Sequence, residues 1–105
     1  MFAVLYRGYV PLHLQEDYKA AWKIIASYFI QEKNALGSTL HQAEDGMWIG
    51  YSKWPDKKTR DAAWSAHAIY SHPQPIISAI ESLKKCLDKE RLLPEICMDI
   101  VESLD

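Results

Sequence analysis

Trp64, His67, Tyr70 and His72 crowd the stretch KWPDKKTRDAAWSAHAIYSH, residues 53–72. An imidazole moves a proton near neutral pH. A phenol hydroxyl donates a hydrogen bond, and an indole lies flat against another ring. Side chains of these kinds around an apolar hollow could take a proton from a small aromatic molecule and hold the resulting anion. His67, Tyr70 and His72 are therefore the candidate catalytic residues, with Trp64 as a wall of the binding site. Each also has an ordinary reading. Trp64 on an apolar helix face can be core. His67 and His72 lie near a helix C-terminus, where imidazoles cap carbonyls or stay solvated. Trp22 and Phe29 read as core, and Trp48 and Trp54 as sheet packing or subunit contact. The four histidines form no HxxxH pair, and Cys86 and Cys97 form no CxxC, so no metal site is predicted. There is no glycine-rich phosphate loop and no GxSxG elbow.

These residues need a scaffold, and the chain has room for one. Its 105 residues make a single domain, 1–105. The net charge is −2 and the basic residues are scattered, which argues against a nucleic-acid partner. The longest apolar stretch, AAWKIIASYFI, is interrupted by Lys23 and is too short to cross a bilayer. MFAVLYRGYV carries no secretory signal pattern, and two cysteines specify no disulfide framework, so the expected location is cytoplasmic.

FAVLYRGYV, residues 2–10, alternates with apolar residues on both faces and reads as a strand covered on both sides. Tyr18, Ala21, Trp22, Ile25 and Phe29 then recur at helical spacing, and NALG at 34–37 supplies a left-handed stop. Asp45-Gly46 predicts a two-residue hairpin turn between strands at about 38–44 and 47–54. The second strand places Met47, Ile49 and Tyr51 on one face and Trp48, Gly50, Ser52 and Trp54 on the other. Pro55 marks a helix start, with Asp56–Arg60 and Lys57–Asp61 as i,i+4 pairs on its solvent side. That helix is expected to run to Ser71-His72-Pro73, where the proline stops it. Another begins at about Pro75, with Ile76, Ile80, Leu83 and Leu87 as its stripe. EICMDIVESL closes the chain as a strand, Ile96, Met98 and Ile100 sharing a side.

The order β–α–β–β–α–(α)–β is an α+β, ferredoxin-like split βαβ arrangement with an antiparallel sheet. Helices cover one sheet face. The other face remains apolar and predicts a homodimer in which two open sheet faces pack together.

The stretch GSTLHQAEDGMWIGYSKWPDKKTRDAAW resembles the central hairpin and helix start of the antibiotic biosynthesis monooxygenase superfamily. Many members carry a strand ending in Trp-Pro, as at Trp54-Pro55, then a charged helix start and a tryptophan like Trp64. The resemblance implies a dimeric α+β barrel and a cofactor-independent monooxygenase-like protein. Its substrate would be a small aromatic molecule of quinol or anthrone type, bound without metal or flavin. Trp64 matches the helix tryptophan, and Tyr70 falls where some members have a pocket tyrosine. Arg60 stands where those members can carry an asparagine. With Trp64, the residues Tyr6, Tyr51 and Arg60 complete the expected binding set. The haem-degrading branch pairs a first-strand asparagine with a histidine ten residues after the tryptophan. Here those places hold Arg7 and Gln74, which makes haem handling the weaker reading. The alternative to catalysis is a dimeric small-molecule-binding or stress-related domain of the same fold.

Overall fold

The computed structural model describes residues 1–104, Ala66 by its backbone only. Among the described residues the order is β1 (Phe2–Gly8), α1 (Gln15–Glu32), β2 (Gly37–Gln42), β3 (Trp48–Trp54), α2 (Lys57–Trp64), α3 (Ala66–Ile69), α4 (Gln74–Cys86) and β4 (Ile96–Asp99). The strands form one antiparallel sheet in the order β2-β3-β1-β4. This is the expected ferredoxin-like split βαβ arrangement, with β1 central.

Strand alternation divides the sheet. Phe2, Val4, Tyr6 and Gly8 stand opposite Trp54, Ser52, Gly50 and Trp48, and all of them face the helices. Val4 and Trp54 are fully buried there, each contributing roughly 1.5–3 kcal/mol through removal of its side chain from water. Leu5, Ile49, Tyr51, Ile96 and Met98 share the outer face with Arg7, Lys53, Thr39 and His41. That face is half-buried at most of its apolar positions and more open at Ile96.

α1 follows its sequence pattern: Tyr18, Ala21, Ile25 and Phe29 are buried, and Glu16 and Asp17 sit in its first turn, where the helix dipole favours them. Asn34 takes φ +66°, and the Ala35 amide reaches back to the Phe29 carbonyl at 3.1 Å, which closes the helix. The β2–β3 connection is one residue longer than the expected turn. The Gly46 amide donates to the Ala43 carbonyl (2.9 Å), the Ala43 amide to Met47 (2.8 Å), and Gly46 adopts φ +94°. This is a type I turn followed by a left-handed glycine, with the Met47 amide held by Asp45 Oδ1. The final strand is shorter than expected and ends at Asp99, before Ile100.

Helix α2 departs most from expectation. Asp56, not Pro55, caps it, accepting from the Thr59 amide at 2.7 Å. It stops at Trp64 because Ser65 is extended (φ −67°, ψ 159°) and caps the short α3 through the Ala68 amide. One helix expected to reach Ser71 is therefore two, with a change of direction between them.

Candidate functional site

A cavity of about 410 Å³ lies between the helix-covered sheet face and the helices, within the roughly 300–1,000 Å³ span of small-molecule sites. β1 and β3 supply Tyr6, Gly50, Ser52 and Trp54 as its floor. α1 contributes Tyr18, Trp22, Ile25 and Phe29, α4 contributes Ile80 and Leu83, and Leu87 follows just after it. Trp64 and Ile69 close one end. Gly50 keeps the floor low: a Cβ there would stand 3.7 Å from the Trp22 indole nitrogen. The wall is aromatic. Trp64 meets Phe29 edge-on at 5.2 Å and tilts against Tyr6 at 6.3 Å, and Phe29 packs on Trp54 at 5.9 Å.

One end of this hollow is polar. Arg60, expected on the solvent side of α2 and paired with Asp56, turns inward instead, its side chain only 10% exposed. It forms a close ion pair with Glu95, a second with Asp61 at 3.2 Å, and donates to the Tyr6 hydroxyl oxygen at 3.4 Å. Burial works against its charge, but the hydrogen bonds to Glu95 and Tyr6 outweigh that, and its pKa lies above the ordinary arginine value. Burial likewise raises the Tyr6 pKa against the opposing pull of Arg60, so the phenol stays neutral near pH 7 and keeps a proton to donate. The Nε atoms of Arg60 and Arg7 are buried without a hydrogen-bond partner among the described residues. The other expected pair on α2, Lys57–Asp61, forms at 2.6 Å.

The structure brings together Tyr6, Arg60 and Trp64 and leaves the other expected site residues outside. Tyr51 projects from the outer sheet face, opposite to the cavity, because it is one residue out of phase with Gly50 and Ser52. Tyr70 is 80% exposed, and His67 is exposed as well; neither lies on the cavity wall. The break at Ser65 turns both away from the Trp64 face. His72 is buried at 4% exposure but sits behind Phe29, not on the wall. Its Nε2 lies 2.9 Å from the Ala63 carbonyl and its Nδ1 3.1 Å from the Tyr28 hydroxyl. The carbonyl can only accept, so Nε2 carries a hydrogen; in the neutral ring Nδ1 then accepts from Tyr28.

Glu95, Trp22, Ser38 and Ser52 were missed as site residues. Trp22 read as core, and its half-burial on the cavity side of α1 could not be separated from that by spacing. Glu95 stands 35 residues from Arg60, so no local pattern joins them. Among the described residues, no group of three or more His, Cys, Asp or Glu side chains could hold a metal ion, and no helix is long and apolar enough to cross a membrane.

No protein-family model and no curated protein matches the sequence. Solved structures do match. SnoaB, a cofactor-independent oxygenase from Streptomyces nogalater, aligns over 98% of this chain and 95% of its own, with a TM-score of 0.72 at 11% identity. An antibiotic biosynthesis monooxygenase aligns over 97% of this chain and 100% of its own, with a TM-score of 0.70 at 14% identity. The fold is the one these oxygenases have. A conserved protein from Methanosarcina mazei Go1 has it too, with a TM-score of 0.70 at 15% identity over 92% of this chain and 89% of its own. At such identities the likeness carries the fold and not the chemistry.

Proposed function

We propose that this chain is a cofactor-independent, monooxygenase-like protein acting on a small aromatic substrate of quinol or anthrone type. The observation that carries the proposal is the aromatic-walled cavity with Arg60 and Tyr6 at one end. Such a substrate supplies the electrons itself. Once its acidic hydrogen is lost, the electron-rich anion reduces O₂. The methylene carbon of an anthrone becomes a carbonyl, one oxygen atom entering the product and the other leaving as water. The protein's part is to stack the rings against Trp64, Phe29 and Trp54, and to hold the oxyanion between a permanent cation and a neutral phenol donor. Arg60 and Tyr6 take the polar role that sequence alone gave to His67, Tyr70 and His72.

Oxygen uptake with a panel of hydroquinones and anthrones in metal-free buffer tests this. Uptake is expected from the native protein and a fall of tenfold or more, order of magnitude, from Tyr6→Phe or Trp64→Ala. Uptake no greater than that of the variants removes the oxygenase reading. A specific observation favours the second reading, a non-catalytic binding domain: among the described residues no imidazole lines the cavity wall to accept a proton. Binding of the same compounds without uptake would establish it. In either case we expect a second copy of the chain on the outer sheet face, over Leu5, Ile49, Tyr51 and Met98. Light scattering that gives a monomer mass at micromolar concentration would overturn that.

A further inference from the structure

We infer that the cavity holds a second subsite, at Trp22 and Gly50, where the Trp22 indole N–H recognises a carbonyl oxygen on the ligand. The inference rests on the small-aromatic reading above and deepens it: the ring system carries a ketone in addition to the hydroxyl held at the polar end. Trp22 and Gly50 then determine which molecule binds and take no part in the oxygen chemistry.

The side-chain nitrogens without partners are of two kinds. Arg7 Nε, Arg60 Nε and Trp48 Nε1 are sealed inside the fold and open to no ligand. The Trp22 indole nitrogen also makes no hydrogen bond among the described residues, but it is not one of the sealed atoms, and its side chain is half-buried on the cavity wall. Trp54 gives the contrast, because its nitrogen donates to Ser52 Oγ at 3.1 Å. An indole N–H is a donor only, so its partner must be an acceptor. The cavity floor fixes where that donor stands. A Cβ on Gly50 would lie 3.7 Å from the Trp22 nitrogen and 3.8 Å from Tyr6 Cβ, so the missing side chain leaves an open spot bordered by the indole and by Tyr6. Trp22 precedes Phe29 by about two turns of α1. A flat ring system stacked on Phe29 and Trp64 therefore turns its far edge toward Trp22.

A carbonyl is the acceptor suited to an uncharged donor in an aromatic hollow. It gives up its water on entry and regains one hydrogen bond from Trp22. A ring without it leaves the N–H covered and unpaired, which disfavours that ring. Gly50 supplies the space for the oxygen. Its backbone is ordinary strand, and the contacts that a Cβ would make, 3.7 to 3.9 Å, are ordinary van der Waals distances. Gly50→Ala is thus accommodated by the fold, while its methyl stands beside the indole nitrogen and crowds the oxygen.

Isothermal titration calorimetry with 5-hydroxy-1-tetralone and 5,6,7,8-tetrahydro-1-naphthol tests this, since the two phenols differ only by the carbonyl. The native protein is expected to bind the ketone at least as tightly as the more apolar naphthol. Trp22→Phe is expected to weaken ketone binding by about tenfold and naphthol binding by no more than roughly twofold. Gly50→Ala is expected to show the same selective loss with an unchanged thermal midpoint. A native preference of about tenfold or more for the naphthol overturns the proposal and requires no variant, so a misfolded Trp22→Phe leaves it testable. Equal losses for both probes in Trp22→Phe overturn it as well, because they make the indole a wall only. Failure of both phenols to bind removes the small-aromatic reading and this proposal with it. Carbonyl selectivity without oxygen uptake from the hydroquinone and anthrone panel retires the oxygenase reading alone; uptake without carbonyl selectivity retires this proposal alone.

Discussion

Two polar clusters flank the aromatic wall, and they are built to opposite plans. Behind Phe29, His72 has both ring nitrogens paired, one with Ala63 and one with Tyr28, and its ring packs edge-on against Phe29 and Tyr28. In front, Arg60 lines the cavity with its terminal nitrogens held by Glu95, Asp61 and Tyr6. The first cluster ties the segment after α3 to α1 and to the end of α2. The second is ionic and stands at the end of the hollow. Both clusters hold the structure through paired polar groups, and only the second borders the hollow.

The contrast can be broken by substitution. His72→Ala removes both bonds and the packing together and leaves the Tyr28 hydroxyl and the Ala63 carbonyl without their partner. It is expected to cost about 3 kcal/mol, measured by urea denaturation, while binding of the hydroquinone and anthrone panel stays where it was. Altered binding would join the two clusters and end the distinction. Tyr28→Phe removes one of the two bonds and keeps the ring, for a loss of about 1 kcal/mol.

Acid gives a subtler probe of the helix that carries Arg60. The side-chain and backbone hydrogen bonds from Thr59 hold the Asp56 carboxyl below its ordinary range. A carboxyl whose folded pKa is depressed stabilises the fold above its unfolded value, and the contribution disappears as pH falls through the folded one. The thermal midpoint is therefore expected to decline as pH drops below about 4, and Asp56→Asn, which still caps, to flatten part of that decline. Tyr70→Ala and His67→Ala come last: both side chains are exposed, and each change is expected to stay within about 0.5 kcal/mol and to leave ligand binding untouched. A large loss of binding in either would return the chemistry to the α3 segment.

That last pair shows where the sequence was legible and where it was not. The order of the strands, the long amphipathic helix, the Asn34 stop and the place of the turn at Asp45-Gly46 depend on patterns a few residues wide and were readable, though the turn has one residue more than expected and the last strand is shorter. So was a hollow bordered by Trp64. The site's polar end was legible only in part: Tyr6 and Arg60 stood in the expected binding set, but no local pattern joined Arg60 to Glu95. A continuous helix from Lys57 would carry His67 along with Trp64 at i+3; the extended backbone at Ser65 cancels that phase. Ser65 was the available signal, a strong capping residue in the middle of a helical pattern. Arg60 read as one half of a surface pair because Asp56 lies four residues before it, yet the cap claims Asp56 and Glu95 claims Arg60. Only tertiary packing brings Glu95 there. The same limit explains Tyr51: alternation said which residues share its face, but not which face the helices would cover.

The placement of the indoles has a practical consequence. Trp22, Trp54 and Trp64 border the cavity, while Trp48 packs apart from it against Tyr18. Intrinsic fluorescence is therefore weighted toward the hollow by the fold itself. A molecule settling inside changes the emission of three chromophores and spares the fourth, so the unlabelled protein reports its own occupancy.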